Sequence, residues 1–473
     1  MTESLFRPSR THHGSCSSKW LGGFMNARFL LPVLILANLA HAQSDAYSRI
    51  RSAYATYLNP QDPLSLPMKI RSLAEDEYKF WRGSKDLFFQ WAKQNCQDWM
   101  SDPKLFLPNH GDLHLGNIGS YVTEDGLNTL GFGMVDFDDS ARLPFQLELL
   151  QGVITLDLVI RQNQITLSRD QLNQLHDKLF ESYRYAVNSQ RNARDLLKSD
   201  PTVQQLLSKT TQKSYSDELK KYTKNGRFRS VVGKKGKVSD LLDPVDPSRW
   251  DEFAHAILQA VQNDDRLQKL MPDASSASIR SSIRDVVRRT RLGSSGSQGL
   301  EKYFVLLHKP FVGIDHDIIL YLKQEIPTAA ERSGIIPPDP RAPGQRCSQD
   351  MDKMTDPRAF INSWTTLGGK SFWVHFKEPW SDEIDFENVK NFDQLLEMAH
   401  VWGTVVGATH RDEGRYELIL PRLTPELRQQ ILQRSDAYQS YQQAAFTAFK
   451  TSPEVTEAVS QTDQILSQRK LED

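Results

Sequence analysis

Apolar positions along this chain recur mostly at helical spacing. Residues 46–100 carry apolar faces at Tyr78, Phe80 and Trp81 and again at Leu87, Phe88, Phe89 and Trp91, and they read as helices. From Phe145 to about residue 215 the pattern is helical again, with Leu147, Leu150, Ile154 and Leu158 in one stripe. Pro247 to Phe253 opens a helix to about residue 263, and residues 395–410 and 424 onward read as further helices. The period changes over 105–140. Residues 118–122, the turn signal Asp125-Gly126 and residues 129–135 predict strand, turn and strand. Residues 275–330 predict a helix, a Gly-rich loop and two strands, 302–307 and 317–323. Residues 372–376 predict another strand, a candidate hinge. The five prolines between Pro327 and Pro343 mark a loop. The pattern predicts an α+β protein, mostly helical, with a small antiparallel sheet.

With 473 residues and 39% hydrophobic content, one large or two moderate globular domains are expected. The net charge of -1 gives no general attraction to nucleic acid or membrane surfaces. Charge is uneven locally: residues 209–237 hold ten Lys or Arg against two acidic residues, a solvated helix end and loop or a flap for an anionic ligand. Residues 25–42 have a lone Arg28, an apolar run and Ala40-His41-Ala42, the pattern of a secretory signal peptide starting at Met25. The run is too short to span a bilayer. These features predict export, to a periplasmic or secreted location, with no membrane span after cleavage. Cys96 and Cys347 then remain, either paired or free and buried.

The densest chemistry lies in His110-Gly111-Asp112-Leu113-His114-Leu115-Gly116-Asn117, followed by Asp136-Phe137-Asp138-Asp139. A hairpin between the two halves places Asn117 opposite or nearly opposite Asp136. Hard oxygen ligands beside a carboxylate that can act as a base suit a Mg2+-phosphate site. Asp112 alone could be a turn carboxylate. His110 and His114 could be zinc ligands on a shared helix turn, but Gly111 and the flanking strand signals argue against a helix there. Asp138 is a second metal ligand or a cap for the helix near Pro144. Arg82 pairs with a loop carboxylate or lies at the surface. His400 and His410 read as ordinary histidines of an apolar helix, or His410 to Glu413 line a pocket. The run Arg291 to Gly299 is either a linker or a loop that approaches phosphates through Gly293, Gly296 and Gly299, with Lys323 at the end of the second following strand.

The His-Gly-Asp-x-His-x-x-Asn motif with Asp-Phe-Asp resembles the catalytic and metal loops of aminoglycoside phosphotransferases and related small-molecule kinases. The wider pattern (Phe80-Trp81-Arg82-Gly83, the two loops, Pro144-Phe145, the Gly run and Leu322 to Glu325) resembles a bacterial family known as domain of unknown function 2252. The resemblance implies a protein-kinase-like two-lobe fold. It implies Asp112 as catalytic base and His110 as brace of the loop. Asn117 and Asp136, with Asp138, would be metal ligands. Gly293, Gly296, Gly299 and Lys323 would bind the nucleotide. Because the Gly loop follows the catalytic loop, the lobes stand in permuted order. The Glu that usually pairs with the strand Lys has no clear counterpart. Gln349 stands where it is sought, and Glu325 shares a strand face with Lys323.

The expected organisation is a signal region over 1–42, a helical lobe with the catalytic hairpin over 43–270, a nucleotide-lobe-like sheet region over 271–390, and C-terminal helices over 391–473. The expected cofactors are Mg2+ and ATP or another nucleotide, and the expected substrate is a small hydroxyl-bearing or anionic molecule. The implied activity is transfer of a nucleotide phosphate to a hydroxyl. The alternatives are an exported, inactive kinase-like binding protein and a metal-dependent phosphate hydrolase.

Overall fold

A computed structural model describes residues 46–58, 64–127, 129–189, 191–234, 237–292, 296–384, 389–412 and 414–468. The expected signal peptide lies outside the described residues. The fold is α+β. Its centre is a seven-stranded antiparallel sheet in the order β12-β13-β11-β10-β9-β8-β7. In chain order, β1 is Phe106–Asn109, β2 Ile118–Val122, β3 Leu130–Met134, β4 Ala141–Pro144, β5 Thr223–Lys224, β6 Arg227–Phe228, β7 Val231–Lys234, β8 Lys237–Pro244, β9 Ile283–Arg291, β10 Lys302–Leu307, β11 Ile318–Gln324, β12 Asn362–Leu367 and β13 Lys370–Phe376.

One face of this sheet is apolar: Tyr303, Val305, Leu320, Leu322, Phe372 and Val374 pack on Phe253, Ile257, Val261 and Ile279 of the helices Trp250–Gln262 and Ser276–Ser282. The other face is mixed. Alternation along antiparallel partners puts Lys302 opposite Lys323, Phe304 opposite Tyr321, and Trp373 and His375 beside Lys323 and Tyr321. The helix Pro343–Met354 packs against this mixed side, its Cys347 and Met351 sharing a core with Trp373.

The helical part is built around Phe145–Gln162, which is apolar on nearly all sides and buried. The helices Arg169–Asn188 and Phe392–Asp412 enclose it. The N-terminal helices Ala46–Ala55 and Ser65–Glu75 share a core with the C-terminal helices Pro425–Lys450 and Pro453–Gln468. Among the described residues no helix is long and apolar enough to cross a membrane.

Three local readings change. The basic segment forms a small β5–β6 hairpin and then β7 and β8, so the large sheet draws strands from before residue 271. β9 and β12 fall where no strand was expected, because their polar outward positions, such as Arg284, Arg288 and Thr366, hide the two-residue period. The proline-rich stretch contains one turn of helix, Ala329–Arg332, capped by Thr328. Cys96 and Cys347 are both free and buried, so they do not form a disulfide with each other.

Candidate functional site

The catalytic-looking loop hangs between two antiparallel pairs. β1 pairs with β4, and β2 pairs with β3 in the register Ile118↔Met134. One step beyond that register, the Val135 amide donates to the Asn117 carbonyl at 2.9 Å, so Asn117 sits one residue from Asp136. The hairpin is tied to the sheet region by main-chain bonds: Ser120 N–H to the Asp382 carbonyl at 2.8 Å, Phe360 N–H to the Val122 carbonyl at 2.9 Å and Ile384 N–H to the Ile118 carbonyl at 3.0 Å. These bonds set the acidic loops against the mixed face of the sheet.

Gly111 explains how closely the two loops meet. Its φ is +78°, and a Cβ there would stand 1.9 Å from the Asp139 carbonyl oxygen. Only glycine meets both conditions. His110 braces the same junction. Its Nε2 lies 2.8 Å from the Val135 carbonyl, and its backbone N–H donates to Glu148 at 2.7 Å. The other Glu148 oxygen faces His410 Nε2 at 2.9 Å, and the Tyr183 hydroxyl holds His410 Nδ1 at 2.8 Å. Among the described residues the group of three potential His, Cys, Asp or Glu ligands includes neither His110 nor His114, which is buried 3.9 Å from Asp112.

Asp112 forms an ion pair with Lys85 at 3.0 Å; the Lys85 side chain is 1% exposed and that of Asp112 15%. The ammonium lies 3.2 Å from the centre of the Trp81 ring and 3.1 Å from Gln151 Oε1. Burial pushes the Asp112 carboxyl up to about 7, against the pull of Lys85. Burial also brings Lys85 down to about 8, against the pull of Asp112. Burial thus moves both groups from their ordinary values towards neutral pH.

Asn117 donates its Nδ2 to the Asp112 carbonyl at 2.9 Å. Its buried Oδ1 has no hydrogen-bond partner among the described residues. Asp136 has φ +66°, an uncommon left-handed conformation for a non-glycine residue, of the kind that gathers at functional sites. Lys323 reaches Asp136 at 2.6 Å and Asp138 at 2.5 Å. Burial opposes the charge on Asp136, but the Lys323 ammonium outweighs it and holds the carboxyl well below the usual range. Burial and the neighbouring Asp136 charge push Asp138 up to about 6. The two carboxylates that share the Lys323 ammonium are hard-oxygen donors of the kind Mg2+ takes, and the unpartnered Asn117 oxygen is a third such donor on the neighbouring strand end. Beside it, Asp138, Glu325 and Cys347 bring potential ligand atoms within 4.8 Å of one another, but burial holds the Cys347 thiol protonated, a poor partner for a hard cation.

Two cavities meet here. The smaller, about 140 Å³, is polar and lined by Asp112, Asp136, Asp138, Asp139, Arg82 and Gly296, among others. The larger, about 380 Å³, lies under the mixed sheet face and carries Tyr321, Trp373, His375 and Phe376 with Lys302, Lys323 and Arg289. Asp136, Arg291, Ser297 and Glu383 line both. A volume of this size suits a small-molecule ligand.

The structure thus brings Asp112, Asn117, Asp136, Asp138, Lys323 and Gly296 together, with His110 behind them. Gly299 lines neither of these two cavities but lies beside the larger one, in a small pocket shared with Lys302 and Arg291. With φ +88° it packs on the Ser65 carbonyl, where a Cβ would come within 2.5 Å. Gly293 lies outside the described residues. Asp138 does not cap the helix that begins at Phe145, which has no side-chain cap; the neighbouring Asp139 accepts from Ala329 N–H at 2.6 Å, at the start of the helical turn that Thr328 caps. Gln349 is exposed and accepts from Arg341, so it is no partner for Lys323. The helix Pro343–Met354 offers Arg346, which donates to the Ser140 carbonyl at 2.7 Å and the Asp138 carbonyl at 2.6 Å. Arg82 lines the polar cavity and His410 belongs to the brace of the loop.

Sequence reasoning missed Lys85, Lys302 and Arg346. Lys85 stands two residues after the Phe-Trp-Arg-Gly motif, so an isolated Lys at the start of an apolar helix was the available signal. Lys302 carried a weaker one, a cation opening a strand that is otherwise apolar.

Over residues 61–452 the chain matches the family described as "Uncharacterized protein conserved in bacteria (DUF2252)", and it belongs to that family. No curated protein and no solved structure matches it.

Proposed function

We propose that this member of the family is a Mg2+-dependent phosphotransferase with a kinase-like division into lobes, moving a phosphate from a nucleotide to a hydroxyl of a small substrate. The observation that carries the reading is the meeting of Asp112, Asp136 and Lys323 at the junction of a polar and a partly aromatic cavity, with Asn117 bonded to the Asp112 carbonyl behind them. The sheet supports it. A segment that carries Gly296 and Gly299 connects β9 to β10, Lys323 is the penultimate residue of β11, a helix packs on the sheet before β12, and the chain leaves from β13 towards the acidic hairpin. That order of parts matches the nucleotide lobe of kinases, here following rather than preceding the catalytic loop.

In this reading Asp112 orients the acceptor hydroxyl and takes its proton as the oxygen–phosphorus bond forms. The bond from phosphorus to the bridging oxygen of the donor breaks, and the donor leaves with one phosphate fewer. A carboxyl poised near 7 can accept a proton and release it again. Lys85 favours the ionised form of Asp112, and His110 with Glu148 fixes the loop. Asn117, Asp136 and Asp138 would hold Mg2+, which neutralises phosphate charge. The rest is positioning and electrostatics. The aromatic wall of the larger cavity suits a base ring.

A second reading, an exported kinase-like binding protein without turnover, draws on the absence of a helix carboxylate at Lys323 among the described residues and on Arg346 in its place. The deciding experiment is thermal shift with ATP, ADP and GTP, with and without Mg2+, followed by a labelled-phosphate transfer screen over small hydroxyl compounds. Mg2+-dependent stabilisation with transfer supports the enzyme. Stabilisation without transfer supports the binding protein. No response to any nucleotide refutes both.

A further inference from the structure

Lys302 has no role in the kinase-like reading, yet it is the least compensated buried cation of the site. It is 4% exposed and opens β10 directly opposite Lys323 on the same face of the sheet. Like charges in directly opposed positions repel. Among the described residues no carboxylate pairs with Lys302. Its neighbours are mostly cations: Lys323, Arg289 and Arg291, against Asp138 alone. Two of those cations are already neutralised. Arg289 is paired with Asp240 at 2.7 Å, and Lys323 with Asp136 and Asp138. Lys302 and Arg291 are thus cations of the larger cavity with no ion pair among the described residues, and both line it together with Ser297; Glu383, which also lines it, offsets part of the charge of Arg291. An isolated buried ammonium is costly to keep. Burial and the neighbouring Lys323 bring Lys302 down to about 7, so a ligand's negative charge is what would hold it protonated there.

We propose that Lys302, with Arg291, binds a run of at least two linked phosphates, while Lys323 stays committed to the Asp136–Asp138 pair. The chain of phosphates runs from the larger cavity past Lys302 towards the polar cavity, which Arg291, Ser297 and Asp136 share with it. The placement of the reacting end rests on the phosphotransferase reading; the anion subsite does not. A linked phosphate chain can come from a nucleoside triphosphate or from inorganic polyphosphate, and the same two cations serve either.

The test is calorimetric titration of the metal-free protein in EDTA with sodium tripolyphosphate, ATP and adenosine. It is run on wild type, Lys302→Gln, Lys302→Arg and the exposed-site variant Arg291→Gln. Loss of one charge-assisted contact should weaken tripolyphosphate and ATP by about tenfold or more in Lys302→Gln, and Lys302→Arg should largely restore them. Arg291→Gln should weaken both in the same direction, and it carries the test if Lys302→Gln does not fold. Adenosine affinity should not change. Lys302→Gln should melt no lower than wild type, because it removes a buried charge without a partner. Comparable affinity for tripolyphosphate and ATP points to polyphosphate as the source, and tighter ATP with measurable adenosine binding points to a nucleotide. Wild type that binds neither anion, or Lys302 and Arg291 variants that bind both as wild type does, overturns the subsite. Binding that is lost in these variants, in a protein that transfers no phosphate, would leave the subsite standing and remove the phosphotransferase reading.

Discussion

Replacing Lys85 with Met isolates the electrostatics of the candidate base. The substitution keeps an apolar stem against Trp81 and removes an ammonium that is 1% exposed and 3.0 Å from Asp112. Breaking a buried pair typically costs about 3–5 kcal/mol, because the surviving charge has no partner. Here the survivor can take up a proton, so the loss depends on pH. In wild type the folded Asp112 pKa, about 7, lies above the ordinary value of 3.8. Between those values the native state binds more protons than the unfolded state, so this group's contribution to stability falls as pH rises. Without Lys85 the folded pKa moves further up and the falling limb extends beyond pH 7. Lys85, depressed to about 8 from 10.5, makes wild-type stability rise with pH across that upper window, and the variant lacks this rise. The gap between the two proteins should therefore be small near pH 6 and widen above pH 7. One proton sets a ceiling of about 1.4 kcal/mol per pH unit for each group. Urea unfolding at pH 6 and pH 8.5 measures it. The ascending limb of kcat/KM should move to higher pH in the same variant. The double variant Lys85→Met with Asp112→Asn should recover stability at pH 8.5 without recovering activity. A stability loss equal at both pH values, with an unmoved activity limb, would refute the role given to this pair.

Other consequences can be checked singly. Asp112→Asn should lower phosphate transfer by about 10²-fold or more with little loss of nucleotide affinity, read by initial rates and titration. Asp136→Asn should abolish the Mg2+-dependent part of the thermal shift while the protein stays folded. Gly111→Ala should destabilise by at least about 2 kcal/mol in urea unfolding, since both its positive φ and the Asp139 carbonyl at 1.9 Å oppose a Cβ. Thiol titration under denaturing, non-reducing conditions should find both Cys96 and Cys347 free.

The sequence alone determined the local pieces. The alternation around Asp125-Gly126 specified the hairpin, and two-residue periodicity then brought Asn117 next to Asp136, because register in a tight hairpin follows from the turn. The buried helix Phe145–Gln162 was equally legible from its apolar run. β7, β8, β9 and β12 were not, because their outward positions are charged or polar, and the pairing of β8 with β9 spans about fifty residues of sequence. The tertiary structure alone decided the charge partners. Lys323 was expected to face phosphates and a helix carboxylate, but the docking of the sheet on the acidic hairpin gives it Asp136 and Asp138. Lys85 meets Asp112 across 27 residues of sequence, and Arg346 holds the Asp138 loop from more than two hundred residues away. Spacing encodes which residues share a strand or a helix face. Which charges neutralise one another in a buried site depends on how those faces are assembled, and that is a property of the packed fold.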